Sequence, residues 1–325
     1  MEETKVTIIG AGIAGIMAAR TLLNNGIKDI KIVDKSKSVG GRLATRRLEE
    51  GIVDHGAQFF TVRSEQLEKD VEDWLQRGWI THWFGDPYPR YTSVNGMNTL
   101  MKQLAEDLPV SLYAKVESIE ETTGGFQLET EDGQSWKTGA VLVTAPVPQT
   151  RKLLSSKNVS LQEKEVSKLD SISYNAAIVG LYQFNTQTTL PSEGIMDESL
   201  PLHVEKIVDH QKKGVSSNPT VSVYMDGEWS NDHFSHTDEH VLSRIEQITE
   251  RHLPWNKLES SQLKRWRYAE AENVVYEPYL NVHEALPLYV AGEAFLEKND
   301  KSGRTRFESA YLSGIAAGNK IASFF

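Results

Sequence analysis

The chain has 325 residues, 39% of them hydrophobic and 25% charged, enough for two lobes that each hold a core. A net charge of −10, with 35 Lys and Arg scattered rather than striped, excludes a nucleic-acid-binding face, and no apolar run approaches the roughly 20 residues that span a bilayer. With no cysteines, structural disulfides, a C-x-x-C relay and a cysteinyl link to any cofactor are all excluded.

The strand Val6-Thr7-Ile8-Ile9 runs into Gly10-Ala11-Gly12-Ile13-Ala14-Gly15, and small residues then predict a helix over 16–23. A second strand over 30–33 ends on Asp34. This is a βαβ unit with a G-x-G-x-x-G turn and an acid about twenty positions later. Gly10 suits the tight turn, Gly12 lets a pyrophosphate approach the backbone, and Gly15 packs helix on strand. The helix start at Ile13 and Ala14 offers N–H groups and partial positive charge to phosphates. Asp34 is placed to accept from both ribose hydroxyls, so the unit predicts a dinucleotide site.

The run Asp34-Lys35-Ser36-Lys37-Ser38-Val39-Gly40-Gly41-Arg42 adds a second glycine pair and an arginine directly after the acid. A nicotinamide dehydrogenase has no need of this loop. An FAD held along its whole length does, and the planar fork of Arg42 suits phosphate. Taken alone, the loop also reads as a solvated turn.

Residues 112–119 and 126–130 alternate around Gly124-Gly125 as a hairpin, and Asp132-Gly133 turns into a strand over 140–144. The middle of the chain predicts strands over 178–184 and 220–225, an exposed loop over 186–201, and a helix over 241–252 with Leu242, Ile245 and Ile248 on one face. His233, His236 and His240 lie beside Asp232, Asp238 and Glu239, but Thr237 can cap the helix, so a solvated helix entry is expected and no metal site. Residues 288–291 predict a buried strand, followed by a helix over 306–323. Its Ser309, Ala310, Ser313, Gly314, Ala317 and Gly318 admit either a flat ring or another backbone. A helix N-terminus aimed at the pyrimidine edge of a flavin would stabilise the reduced anion. The plain alternative is a terminal helix packed on a sheet.

Gly40-Gly41-Arg42 followed by Asp54-His55-Gly56-Ala57-Gln58-Phe59-Phe60 resembles the flavin amine oxidase superfamily, and within it the renalase-like FAD-dependent oxidoreductases. The resemblance continues in order through Ser93-Val94-Asn95-Gly96-Met97-Asn98, Val143-Thr144-Ala145-Pro146-Val147-Pro148, Trp266-Arg267-Tyr268, Val290-Ala291-Gly292-Glu293 and the segment 306–314. It implies an α/β, two-lobed FAD-binding Rossmann-type fold with a mixed α+β substrate lobe, of the p-hydroxybenzoate hydroxylase or amine oxidase kind. The FAD-binding domain would be discontinuous, over residues 1–69, 94–158 and 280–325, with 70–93 and 159–279 as the substrate domain.

The resemblance also carries cofactor contacts. Lys35, Gly41, Arg42, Gly56, Ala57, Gln58, Phe59 and Ala145 join the glycine turn and Asp34, and Val116 contacts adenine through its backbone. Gly292 and Glu293 lie beside the phosphates or ribityl chain, and Phe307, Glu308, Ser309 and Ala310 form the helix start under the ring. Ser309 stands where relatives usually have glycine, which loosens that contact. Tyr174 and Trp266 are candidates for the walls of the ring pocket, with core aromatics as the alternative. No catalytic side chain is singled out.

The expected activity is an oxidase with non-covalent FAD, passing hydride from a small-molecule substrate to flavin and on to molecular oxygen, giving hydrogen peroxide. Renalase-like relatives imply misreduced dihydronicotinamide isomers as substrates. The alternatives are oxidation of an amine to an imine and an FAD-binding protein without turnover. Neither nucleic acid nor membrane is an expected partner. A strand that begins near residue 5 leaves no room for a leader, which predicts a cytoplasmic protein.

Overall fold

The computed structural model describes residues 2–325. The chain divides into two compact units, the first formed by residues 1–41, 101–173 and 271–325 and the second by residues 42–100 and 174–270. These cuts differ from the functional boundaries expected above: residues 42–69 and 94–100 pack with the second unit, and 159–173 and 271–279 with the first.

The first unit is built on an eight-stranded sheet. Leu288–Val290, Ser135–Val143, Glu2–Ile9, Ile30–Val33 and Val110–Ser111 lie side by side in that order, each parallel to its neighbour. Parallel strands are covered on both faces and so read as continuous apolar runs. Val6, Ile8, Ile32, Val141 and Leu142 are fully buried accordingly. The helix Ile13–Asn24 makes the crossover between Glu2–Ile9 and Ile30–Val33, the βαβ unit read from the sequence. Val116–Thr122 and Gly125–Thr130 form the expected hairpin, and the turn at Gly133 leads into Ser135–Val143, five residues longer at its start than its apolar run suggests.

The terminal helix Phe307–Ala322 packs directly on Ile13–Asn24. A Cβ added to Gly314 would lie 2.2 Å from the Ala14 carbonyl oxygen, and one on Gly318 would lie 2.8 Å from that of Ala18. Of the two uses open to this small-residue stripe, Gly314 and Gly318 therefore serve the close approach of another backbone.

The second unit holds a five-stranded antiparallel sheet in the order Ile195–Met196, Val204–Asp209, Thr220–Met225, Tyr174–Phe184 and Leu258–Ala271. Trp229, Val241 and Ile245, from the helices Gly227–His233 and Asp238–Ile248, pack with Ile178, Tyr182, Phe184 and Val223. The Thr237 hydroxyl caps the second of these helices by accepting from the His240 N–H at 3.4 Å, as its sequence position suggested. His233 stacks on Trp229 at 3.9 Å, and its ring meets His236 edge-on at 5.2 Å. Two small hairpins, Thr45–Arg47 with Ile52–Asp54 and Ile80–Phe84 with Arg90–Ser93, complete the unit with the helix Glu65–Gln76.

The exposed loop expected over 186–201 needs correction. It contains the strand Ile195–Met196, and Thr188, Leu190 and Ile195 are buried. The Thr188 hydroxyl donates to Asp209 at 2.5 Å, so a polar residue that reads as loop is an internal bond. Among the described residues, no helix is long and apolar enough to cross a membrane.

Candidate functional site

In the first unit the glycine turn has the geometry its spacing demands. Gly10 has φ of +114°, a region that side chains rarely adopt, and a Cβ there would meet the Thr144 hydroxyl at 2.4 Å. Gly15 sits so close to the turn that its Cβ would fall 1.9 Å from the Gly10 carbonyl oxygen. At Gly12 a Cβ would meet nothing within 4 Å, which leaves open space above the turn. Gly12 is also the N-cap of Ile13–Asn24 and makes no side-chain cap. The first bond into this helix is from the Ile16 N–H to the Gly12 carbonyl, so the N–H groups of Ile13, Ala14 and Gly15 have no acceptor within the described chain. Three N–H groups without an acceptor, beside open space at the positive end of a helix, are a fit for a pyrophosphate.

Asp34 ends the second strand and holds this turn in shape. Its Oδ2 accepts from the Ala11 N–H at 2.8 Å and its Oδ1 from the Ser36 N–H at 2.7 Å. Each carboxylate oxygen retains a second lone pair, which suits two ribose hydroxyls. Gly41 lies near the turn: a Cβ on it would be 3.5 Å from the Gly12 Cα, and the Gly40 N–H donates to the Ala11 carbonyl at 2.8 Å. Lys35 donates to Gln149 at 2.8 Å. Ala145 follows the strand Ser135–Val143 and accepts from the Thr150 hydroxyl at 2.9 Å, while Val116 opens its hairpin strand opposite Thr130.

The terminal helix is bolted to the loop at Gly292 and Glu293. The Gly292 N–H donates to the Ser313 hydroxyl at 2.9 Å, and the Ser309 hydroxyl lies 3.0 Å from the Glu293 carbonyl. Ser309 also accepts from the Arg306 N–H at 2.8 Å, closing the first turn of the helix. The hydroxyl that replaces the expected glycine is thus turned inward to join two segments. Ala310 is buried beside it, Glu308 is buried and paired with Arg306 at 3.2 Å, and Phe307 stacks on Tyr311.

In the second unit the segment 54–60 is clamped from several sides. The His55 N–H donates to Ala44 and the Ala57 N–H to Arg42, at 3.0 and 2.9 Å. Gly56 packs so tightly that a Cβ would sit 1.8 Å from the Arg42 carbonyl oxygen. The Arg42 guanidinium donates to the Ala269 carbonyl at 3.0 Å. Trp266 stacks on the His55 ring at 5.3 Å and donates its indole N–H to the His55 carbonyl at 2.7 Å. Tyr174 meets Tyr268 edge-on, with ring centroids 5.8 Å apart.

Beneath this loop lies an ion pair that sequence reasoning missed. Lys213 and Asp54 are both 0% exposed in their side chains, with Nζ 2.9 Å from Oδ2. The other two ammonium donors reach the Gln58 carbonyl at 2.7 Å and the Gln58 Oε1 at 3.0 Å. Gln58 in turn donates to the Asp54 carbonyl at 2.9 Å and to the Tyr224 hydroxyl. Its carboxamide therefore faces into the protein, bonded to Asp54, Tyr224 and Lys213. Burial pushes the Asp54 carboxyl up, but Lys213, His210 and the Thr45 hydroxyl outweigh it and hold the group below its usual value. Burial, together with Lys264, pushes the His55 imidazole down to about 4, and burial with Lys213 pushes His210 down to about 3. Both rings are neutral at pH 7. The signal for Lys213 in the sequence is nil, since Lys212-Lys213-Gly214 reads as a solvated turn.

A family model described as flavin containing amine oxidoreductase matches residues 72–322, and one described as an NAD(P)-binding Rossmann-like domain matches residues 8–76. Among curated proteins, Protein anon-37Cs of Drosophila simulans is 24% identical over 146 residues, covering 40% of this chain and 28% of that protein. Tryptophan 2-monooxygenase of Allorhizobium ampelinum is 48% identical over 44 residues, 14% of this chain and 6% of the enzyme. Ketocytochalasin monooxygenase of Aspergillus clavatus is 54% identical over 39 residues, 12% and 6% of the two chains. The matches thus span less than a third of these relatives' own length.

Among solved structures, a protein assigned as protoporphyrinogen oxidase from Exiguobacterium sp. 255-15 is similar with a TM-score of 0.66 at 14% identity, covering 99% of each chain. A putrescine oxidase redesigned for cofactor binding is similar with a TM-score of 0.69 at 11% identity, covering 100% of each chain. Identities this low show the fold alone. The family match runs over most of the sequence and the glycine turn fits the dinucleotide it implies: the chain belongs to the flavin containing amine oxidoreductase family, whose cofactor is FAD.

Proposed function

We propose that this protein is a renalase-like oxidase that takes hydride from misreduced dihydronicotinamide isomers and returns ordinary NAD or NADP. FAD, when bound, supplies the two-electron acceptor for that hydride and delivers both electrons, with a proton from solvent, to oxygen as hydrogen peroxide. On this reading Gly10, Gly12 and the helix start at Ile13, Ala14 and Gly15 hold the pyrophosphate, and Asp34 holds the ribose. Gly292, Glu293 and the helix start at 307–310 support the rest of the cofactor, which is held without a covalent link.

The observation that carries the substrate reading is that the segment 54–60 offers a substrate no strong base: Asp54 is sealed in an ion pair, and burial makes the neutral His55 ring a poor proton acceptor. A dihydropyridine needs no base, because its ring nitrogen pushes out the hydride as aromaticity returns. The chain then has to orient a flat donor and exclude water. An amine must first lose a proton, which leaves an ionisation in the rate profile.

Flavin reduction by the favoured isomer is therefore expected to be nearly independent of pH between about 6 and 9, since His55 and His210 titrate well below that window. Anaerobic stopped-flow mixing with each dihydronicotinamide isomer and with a panel of amines checks it. Fast bleaching by simple amines alone, or a steep rise through one ionisation, would replace this reading with amine oxidation, which the family match also accommodates. No bleaching by any of them would favour an FAD-binding protein without turnover.

Asp34→Ala is expected to weaken FAD binding by about 1–3 kcal/mol, because an ionised acceptor is lost and the Ala11 N–H is released. Titration of the apoprotein with FAD measures it, and an unchanged affinity would remove Asp34 from the site.

A further inference from the structure

The segment 54–60 continues into an aromatic corner in the second unit. Phe59, Trp83 and Phe84 are half-buried and meet edge-on, with ring centroids 6.1 Å apart for Phe59–Trp83, 5.9 Å for Phe59–Phe84 and 4.8 Å for Trp83–Phe84. Trp83 is fixed from both ends: its indole N–H donates to the Glu193 carbonyl at 2.7 Å, and the buried Lys213 ammonium lies 4.8 Å from its ring. Arg90 is paired across the hairpin with Phe84, and its guanidinium lies over Phe84 at 4.9 Å and over Phe59 at 5.6 Å.

Arg90 makes one hydrogen bond, to the Tyr88 carbonyl at 3.0 Å, and no carboxylate among the described residues comes within 4.0 Å of it. Asp86, four residues earlier in the chain, does not pair with it. A guanidinium has five N–H donors in a planar fork, so most of this one remains for an external anion. In a chain of net charge −10, an unmatched cation stacked on aromatic faces is a placement that like-charged ligands avoid.

We propose that Phe59, Trp83, Phe84 and Arg90 form a substrate subsite, in which the rings receive a flat heterocycle or its sugar and Arg90 receives an anionic phosphate. This rests on the oxidase reading above and specifies it: the substrate is a phosphorylated nucleotide rather than a cationic amine.

The test uses the FAD-loaded protein and two redox-inert probes, oxidised nicotinamide mononucleotide and nicotinamide riboside, which differ by one phosphate. Calorimetric titration of the wild type is expected to favour the mononucleotide, and Arg90→Gln is expected to weaken its binding about tenfold or more while leaving the riboside unchanged. Arg90→Lys, which keeps the charge and loses the fork, is expected to fall between. Equal weakening of both probes by Arg90→Gln, or none, overturns the subsite, as does a wild type that binds neither. The two ideas fail separately. Arg90-dependent binding of the mononucleotide without bleaching by any dihydronicotinamide isomer sinks the oxidase reading and keeps the subsite, whereas bleaching with no phosphate preference does the reverse.

Discussion

Lys213→Met is expected to destabilise the protein by about 3–5 kcal/mol, because removing one partner of a buried pair strands the other. Lys213 places all three of its donors on acceptors of the segment 54–58, at 2.7–3.0 Å, in complete burial. Without it, Asp54 keeps the Thr45 hydroxyl at 2.6 Å and the Met97 N–H at 2.9 Å but loses its largest favourable charge. The Gln58 carbonyl and carboxamide oxygen lose a donor at the same time, and each buried acceptor left unmatched adds to the penalty.

The double variant Asp54→Asn with Lys213→Met removes both charges, so it is expected to be less destabilised than the sum of the two single variants. Urea unfolding, compared at constant slope, gives these energies. A single variant that loses under 1 kcal/mol, or strict additivity in the pair, would show that the ion pair does not hold this loop.

The parts of the fold that were legible in the sequence have local causes. The strand Ile30–Val33 and the acid after it appear as read, because an apolar run and a turn residue mark both ends. The cap at Thr237 was read, but the helix runs Asp238–Ile248, starting three residues before and ending four residues before the expected 241–252. The strand Leu258–Ala271 was not legible: only Leu263 and Ala271 are buried, and the intervening Glu, Lys and Arg carry no period-2 alternation of apolar residues.

Within the site, the glycine turn was legible because each glycine answers a local steric demand. Gln58 and Lys213 were not. Gln58 was named for a cofactor contact and Lys213 not at all, because their side-chain partners lie up to 166 residues away in the chain. Ser309 falls between these cases. Its departure from the family pattern was visible, but its bonds to Arg306 and Glu293 depend on how the helix docks.

The buried imidazoles are expected to make the protein lose stability in acid before its carboxylates titrate. An unfolded His takes up a proton near pH 6.5. His55 resists until about 4 and His210 until about 3, because burial and neighbouring cations disfavour the charged ring. Between these values the unfolded chain binds more protons than the folded one, so stability falls as pH falls. The contribution is fully present above about 6.5 and drains away down to about 4 and then 3. Asp54 acts in the same direction at lower pH, since its depressed carboxyl is protonated only after that of the unfolded chain. Each group can contribute at most about 1.4 kcal/mol per pH unit, and with His55 partly open to solvent the two rings together are expected to remove about 2–4 kcal/mol between pH 7 and 5. Thermal unfolding across that range should show the midpoint dropping steeply. His210→Gln, which cannot be protonated, should flatten the slope even if it lowers stability at pH 7. The ring carbon resonances of His55 and His210 should stay at their neutral positions down to pH 5. A midpoint that does not change from pH 7 to 5, or ring signals that titrate near 6.5, would mean that burial does not hold these imidazoles neutral.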